Sequence, residues 1–300
     1  MTSPRDRVAE SLGLTIHFLE WGEPGETPIV LVHGFLDQAF SWSLFAAELL
    51  RRARRPLWLI APDCRGHGDS GWVGAGGYYH FPDYVFDLDC VMRTVGAKQL
   101  RLIGHSMGGT ISFLYAGAFP DKVTKLVLIE GIGPLGMEFA DAPVRMAGWI
   151  DELHGRGRNH FREYTSTEAG ANQLRQTNPR LSKDFATALA RAGMRQNQRG
   201  KWVWKFDPLH RTAAPQPFYT RQGLEFLKRI RCPVLIVDGE ESHQSRRTDK
   251  QARYETLPSY QLARIPHAGH MVHQDNPEVL AQQIDNFFEI GGSRDDPPYS

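Results

Sequence analysis

The sequence predicts an α/β fold, a parallel sheet covered on both faces by helices and interrupted by an inserted helical lid. Three observations carry this: apolar runs of strand length end at turn residues, helical patterns separate them, and strand runs cease between about residues 131 and 230. Ile29 to Val32 and Leu57 to Ala61 each end at a glycine- or proline-bearing turn, as buried parallel strands do. Leu100 to Ile103 meets Gly104. Thr110 to Ala118 then reads as a helix with Ile111, Leu114, Tyr115 and Ala118 on one face, stopped by Phe119-Pro120. Val123 to Ile129 is the next strand, and this alternation implies the parallel sheet.

From Gly131 to Ile230 polar, Arg-rich segments are broken by Pro134, Pro143, Pro179, Pro208, Pro215 and Pro217, the pattern of a helical lid. Strand signals resume at Val234 to Val237 and Tyr260 to Ile265. A last helix starts at Asn276-Pro277, an N-cap followed by proline, with Val279, Leu280, Ile284, Phe287 and Phe288 in one stripe. The expected organisation is therefore a core from 1–130 and 231–290, a lid from 131–230 and a mobile tail from 291–300.

A chain of 300 residues buries about three quarters of its unfolded surface, so neither disulfides nor metal is needed to stabilise it. Lys and Arg number 35 against 34 Asp and Glu, and 41% of residues are apolar, which excludes wholesale disorder and a strongly basic nucleic-acid binder. Cys64, Cys90 and Cys232 lie too far apart for a zinc cluster or disulfide scaffold and point to a reducing compartment. Met1 to Glu10 has no apolar signal region, and no run approaches the roughly 18 apolar residues of a membrane span. A cytoplasmic protein, without membrane or nucleic-acid partners, is expected. Charge divides along the domain boundaries, the lid carrying 16 Lys and Arg against 9 Asp and Glu, net +7. A basic lid attracts anions, although a solvated face is the more common meaning of such a bias.

Gly104-His105-Ser106-Met107-Gly108 follows one expected strand and opens one expected helix, the context that gives G-x-S-x-G its meaning. A strand turning abruptly into a helix strains its apex residue, small neighbours avoid clashes, and the Ser106 hydroxyl projects from the sheet edge. The positive end of the helix lies beneath an anionic intermediate.

At these residues the chain resembles the α/β-hydrolase family, from about residue 14 to 290, with the lid its weakest stretch. The other motifs carrying the resemblance are His33-Gly34-Phe35, Asp63-Cys64-Arg65-Gly66-His67-Gly68-Asp69-Ser70 and Ala268-Gly269-His270. It implies a mostly parallel eight-stranded sheet flanked by helices, with an inserted cap, as in serine-hydrolase-like members. It also implies oxyanion-hole N–H groups on Phe35 and Met107, and His270 as general base, with His267 and His273 its nearest competitors. His105 is given no proton-transfer role. The Asp63 to Ser70 turn reads as structural.

The acid departs from the family. Its usual position, after Val237-Asp238-Gly239-Glu240-Glu241, holds Ser242. Glu130, ending the apolar strand Val127-Leu128-Ile129, is the first choice because an unpaired carboxylate there is costly and some dehalogenases of this fold place their acid at this point. Glu241 and then Asp238 are the alternatives.

Trp202-Val203-Trp204-Lys205-Phe206, if extended, puts three aromatics on one side, to line an apolar pocket or to pack the lid's own core. Phe35, Met107, Trp149 and Met271 fall near the site in sequence. The expected activity is a serine hydrolase working through an acyl-enzyme on a small, largely apolar carboxylic ester, with no cofactor and no metal. Its partner is a small-molecule substrate, and the chain is a monomer or homodimer. Carbon–carbon bond hydrolysis, lactone opening, perhydrolysis and a non-catalytic small-ligand receptor remain open on the same residues.

Overall fold

The computed structural model describes residues 3–25, 27–156 and 161–291, so the tail expected to be mobile lies outside the described residues apart from Gly291. Among the described residues ten strands occur in chain order: β1 (Arg5–Ser11), β2 (Leu14–Gly22), β3 (Ile29–Val32), β4 (Trp58–Pro62), β5 (Leu100–His105), β6 (Val123–Ile129), β7 (Met194–Gln196), β8 (Trp202–Trp204), β9 (Val234–Gly239) and β10 (Gln261–Ile265). The helices are α1 (Ser43–Arg52), α2 (Phe81–Val95), α3 (Met107–Ala118), α4 (Ala142–Arg156), α5 (Thr167–Thr177), α6 (Lys183–Gly193), α7 (Thr220–Arg229), α8 (Lys250–Tyr254), α9 (Val272–Asp275) and α10 (Pro277–Phe288).

Eight strands form one sheet in the order β1-β2-β4-β3-β5-β6-β9-β10, and β7 and β8 form a separate hairpin. β2 runs antiparallel to β1 and β4; the other pairings in the large sheet are parallel. Period-two alternation divides the core into two layers. Val30, Val32, Leu126 and Leu128 face α2, α3 and α7, where Phe113 and Tyr115 are buried. Ile29, Leu31, Val127 and Ile129 face α1 and α10, against Trp42, Phe45, Ile284 and Phe288. Because both faces are covered, β3 and β4 are buried at every residue, which explains their continuous apolar sequence. Each fully buried large apolar side chain contributes about 1.5–3 kcal/mol.

The β1–β2 hairpin is absent from the sequence reading. Five of the seven β1 residues are exposed, so no apolar run marks it. Its turn, Leu12-Gly13, has φ of 50° and 78°, and Arg5 and Arg7 both pair with Glu20 across the strands. The range 131–230 is not uniform in its packing. α7 falls within 131–230 yet packs on α3, with Leu227 and Ile230 in the main core. Gly117 permits this approach, since a Cβ there would stand 2.4 Å from the Phe226 carbonyl oxygen. Within the same range, Tyr164, Leu181, Phe185, Leu189 and Met194 form a separate apolar core, while Ile132 and Leu209 join the main one. Ser166 and Ser182 cap α5 and α6 by accepting from Ala169 and Phe185 N–H. Among the described residues no helix is long and apolar enough to cross a membrane.

Candidate active site

Ser106 joins β5 to α3 at φ 52° and ψ −113°, a conformation rarely taken by a residue with a side chain. A Cβ on Gly104 would lie 2.3 Å from the Gly108 carbonyl oxygen, and one on Gly108 would lie 2.1 Å from that of Val32. The two glycines therefore let α3 start hard against the sheet. The Ser106 N–H donates to Ile129 O at 2.9 Å, which holds the apex between its neighbouring strands.

The Ser106 hydroxyl faces His270 Nε2 at 3.1 Å, and His270 Nδ1–H faces Glu130 Oε2 at 3.3 Å. His270 sits in the loop after β10. Its carbonyl accepts from His105 Nε2–H at 2.8 Å, while Gly269 N–H donates to Asp275 at 2.8 Å. These bonds anchor the loop from below and from α9.

Glu130 directly follows β6, at φ 52°. Ser242 Oγ–H donates to its Oε2 at 2.6 Å and Gly239 N–H to its Oε1 at 2.8 Å. Burial opposes the charge on Glu130, but hydrogen bonds from His270, Ser242 and Gly239 outweigh it and hold the carboxyl below the ordinary glutamate range. The hydroxyl at the family's usual acid position thus supports a carboxylate supplied from the adjacent strand. Glu241 instead pairs with Arg180 at the surface. Asp238 accepts from Lys250 at 2.7 Å and from the Tyr254 hydroxyl. Neither faces His270. Of the competing histidines, His267 is exposed and His273 is buried against Ser41.

The Phe35 N–H has no acceptor among the described residues, and Met107 is the first residue of α3, where no carbonyl lies one turn earlier to receive its N–H. The turn bearing Phe35 is fixed by histidines. Cys64 N–H donates to His33 Nε2 at 2.9 Å, His33 Nδ1–H donates to Gly34 O at 2.7 Å, and Leu36 N–H donates to His67 Nε2 at 3.2 Å. Asp63 ties this turn to the sheet by accepting from Ala39 N–H at 2.7 Å and Asp69 N–H at 3.0 Å, the structural part expected of the Asp63 to Ser70 motif.

A cavity of about 1340 Å³ opens above Ser106, Met107, Phe35 and Glu130. Tyr79, Phe81, Val85, Leu114 and Phe218 supply apolar wall, while Arg145, Glu152 and His210 add polar groups from the lid. His210 stacks on Tyr79 and His67 at 3.9 and 4.2 Å between ring centres, and burial pushes its imidazole down to about 3.

Four expected pocket residues lie elsewhere. Trp202 and Trp204 pack in the lid's own core with Tyr164 and Met194, because the β7–β8 hairpin turns that face inward. Trp149 lies edge-on to Tyr78, with ring centres 5.8 Å apart, behind the cavity wall rather than on it. Met271 precedes α9 and is likewise not among the lining residues. Phe218 and His210 take their place. Neither belongs to a motif, and only the folding of the lid brings them over Ser106.

Residues 29–283 match the model of the alpha/beta hydrolase family, and the chain belongs to that family. It is 26% identical over 287 residues to a serine hydrolase-like protein of Danio rerio, covering 90% of this chain and 83% of the relative. A 2-(acetamidomethylene)succinate hydrolase of Mesorhizobium japonicum is 27% identical over 273 residues, covering 89% of this chain and 90% of the relative. Among solved structures, the thioesterase domain from the curacin biosynthetic pathway superposes with a TM-score of 0.85 at 28% identity, covering 94% of this chain and 99% of that domain.

Proposed function

We propose that the protein is a serine hydrolase that cleaves carboxylic esters through an acyl-enzyme intermediate. The observation that carries this reading is the Ser106–His270–Glu130 relay, 3.1 and 3.3 Å in its two steps, at the floor of a largely apolar cavity. His270 Nε2 takes the Ser106 proton as Oγ attacks the carbonyl carbon, then returns it to the departing alcohol. Glu130 fixes the tautomer of His270 and stabilises the imidazolium. The N–H groups of Phe35 and Met107 receive the oxyanion, each worth about 3–4 kcal/mol of transition-state stabilisation. Water, activated by the same imidazole, releases the acid and regenerates Ser106.

The cavity, at about 1340 Å³, exceeds the roughly 300–1000 Å³ of common ligand sites. This supports acyl groups longer than a small ester carries. A thioester is the second reading, favoured by the likeness to the thioesterase domain, since the leaving group alone distinguishes the two reactions. A p-nitrophenyl ester series from acetate to palmitate, set beside acyl-thioesters of matching length, tests both. The expected optimum lies beyond acetate. No turnover of any ester or thioester by folded protein overturns the proposal.

A further inference from the structure

We propose that Asp37, His105 and His273 form a binding site for one divalent transition-metal ion of the zinc class, behind His270 and outside the cavity. The three residues come from separate elements: the loop after β3, the end of β5, and α9. One ring nitrogen of each histidine and one Asp37 oxygen lie within 4.8 Å of one another. His105 and His273 are 1% and 0% exposed.

Three polar atoms in this cluster, His105 Nδ1, His273 Nδ1 and Asp37 Oδ2, have no hydrogen-bond partner among the described residues. The tautomer of His105 is set by its other nitrogen. Nε2 donates to the His270 carbonyl, so Nδ1 carries a lone pair, and no N–H or O–H faces it. A Cβ on Gly34 would lie 2.7 Å from that nitrogen, so only glycine fits against this side of the ring and no side chain from that turn supplies a donor. His273 Nε2 lies 3.3 Å from Ser41 Oγ and 3.6 Å from Asp37 Oδ2, so this nitrogen faces the carboxylate. Two buried acceptors without donors, His105 Nδ1 and Asp37 Oδ2, call for a cation. Two imidazoles and one carboxylate suit zinc or cobalt, whereas calcium and magnesium prefer all-oxygen sites.

The other histidine–carboxylate group, His17 with Asp63 and Asp69, does not compete. His17 Nδ1 and Nε2 are taken by Asp63 at 2.7 Å and Asp6 at 2.9 Å, and Asp63 accepts two backbone N–H groups besides.

The test uses the full chain. Cobalt(II) chloride titration, followed by d–d absorption, and equilibrium dialysis with zinc are expected to give one ion per chain. Affinity is expected to fall at least tenfold in Asp37→Asn, and to stay unchanged when the exposed His267 becomes Gln. Circular dichroism checks that each variant is folded. A measurement on the unmodified chain needs no variant: zinc is expected to move the ring-nitrogen NMR signals of His105 and His273 most among the histidines. Absence of stoichiometric binding, unchanged affinity in folded Asp37→Asn, or signal changes confined to His270 or other histidines overturns the site. These readouts report binding alone and hold whatever reaction Ser106 performs.

Discussion

At the scale of single residues, the site turns on how Glu130 is kept charged. Its carboxylate is buried, so it depends on His270, Ser242 and the Gly239 N–H. Replacing Glu130 by Gln keeps the shape but removes the charge facing the imidazolium, and acylation of Ser106 should slow by about 10³–10⁴. Ser242→Ala removes one donor and should cost far less, about tenfold, equivalent to one charge-assisted hydrogen bond of about 1.5 kcal/mol. Stopped-flow acylation rates check both. The pH dependence has a definite sign. A carboxyl whose folded pKa lies below its unfolded value contributes stability that is present above the unfolded value and is lost as pH falls through the folded one. Ser242→Ala moves the folded value back up, so acid unfolding of this variant should begin at higher pH than in the wild type. Coincident acid transitions would count against the stabilising role of Ser242.

At the scale of elements, rigidity at the elbow contrasts with separability in the lid. Gly108→Ala forces a side chain to within 2.1 Å of backbone and should destabilise by about 3 kcal/mol or more in urea unfolding, because neither α3 nor β3 can yield cheaply. Trp204→Ala should loosen the lid, yet leave ester chain-length preference unchanged, since Trp204 packs against Tyr164 and not against substrate. Phe218→Ala should shift that preference, since its ring lines the cavity. The same contrast explains what was legible in the sequence. Buried parallel strands and a strained turn impose local demands on residue type, so β3 to β6 and the Ser106 elbow are readable from short segments. The β1 strand, solvated along most of its length, leaves no such mark. Which lid aromatics meet the substrate depends on how the lid folds over the sheet. Trp202 and Trp204 carry an extended pattern without revealing which way the hairpin faces. Glu130 was readable because a carboxylate closing an apolar strand needs a partner, but the part played by Ser242 emerges only when β6 and β9 lie side by side.

At the scale of the whole molecule, the loops that hold the site are tied to charged groups on β2 and just after β4. His17 on β2 lies between Asp63 and Asp6, and although burial opposes its charge, the hydrogen bond and charge of Asp63 raise it from 6.5 to about 9. A raised folded pKa gives stability that is complete below about 6.5 and disappears as pH rises through about 9. Urea midpoints should therefore fall across that window in the wild type and fall less in His17→Gln. Equal slopes would show that this ion pair does not support the fold.

The relay itself is tested most directly by intact-mass and peptide mapping after brief exposure to a fluorophosphonate, which reacts with a serine only when a base has activated it. A single adduct on Ser106, absent from Ser106→Ala and formed orders of magnitude more slowly in Glu130→Gln, is the predicted result. Folded wild-type protein that stays unmodified, or that carries its adduct on another residue, would contradict it.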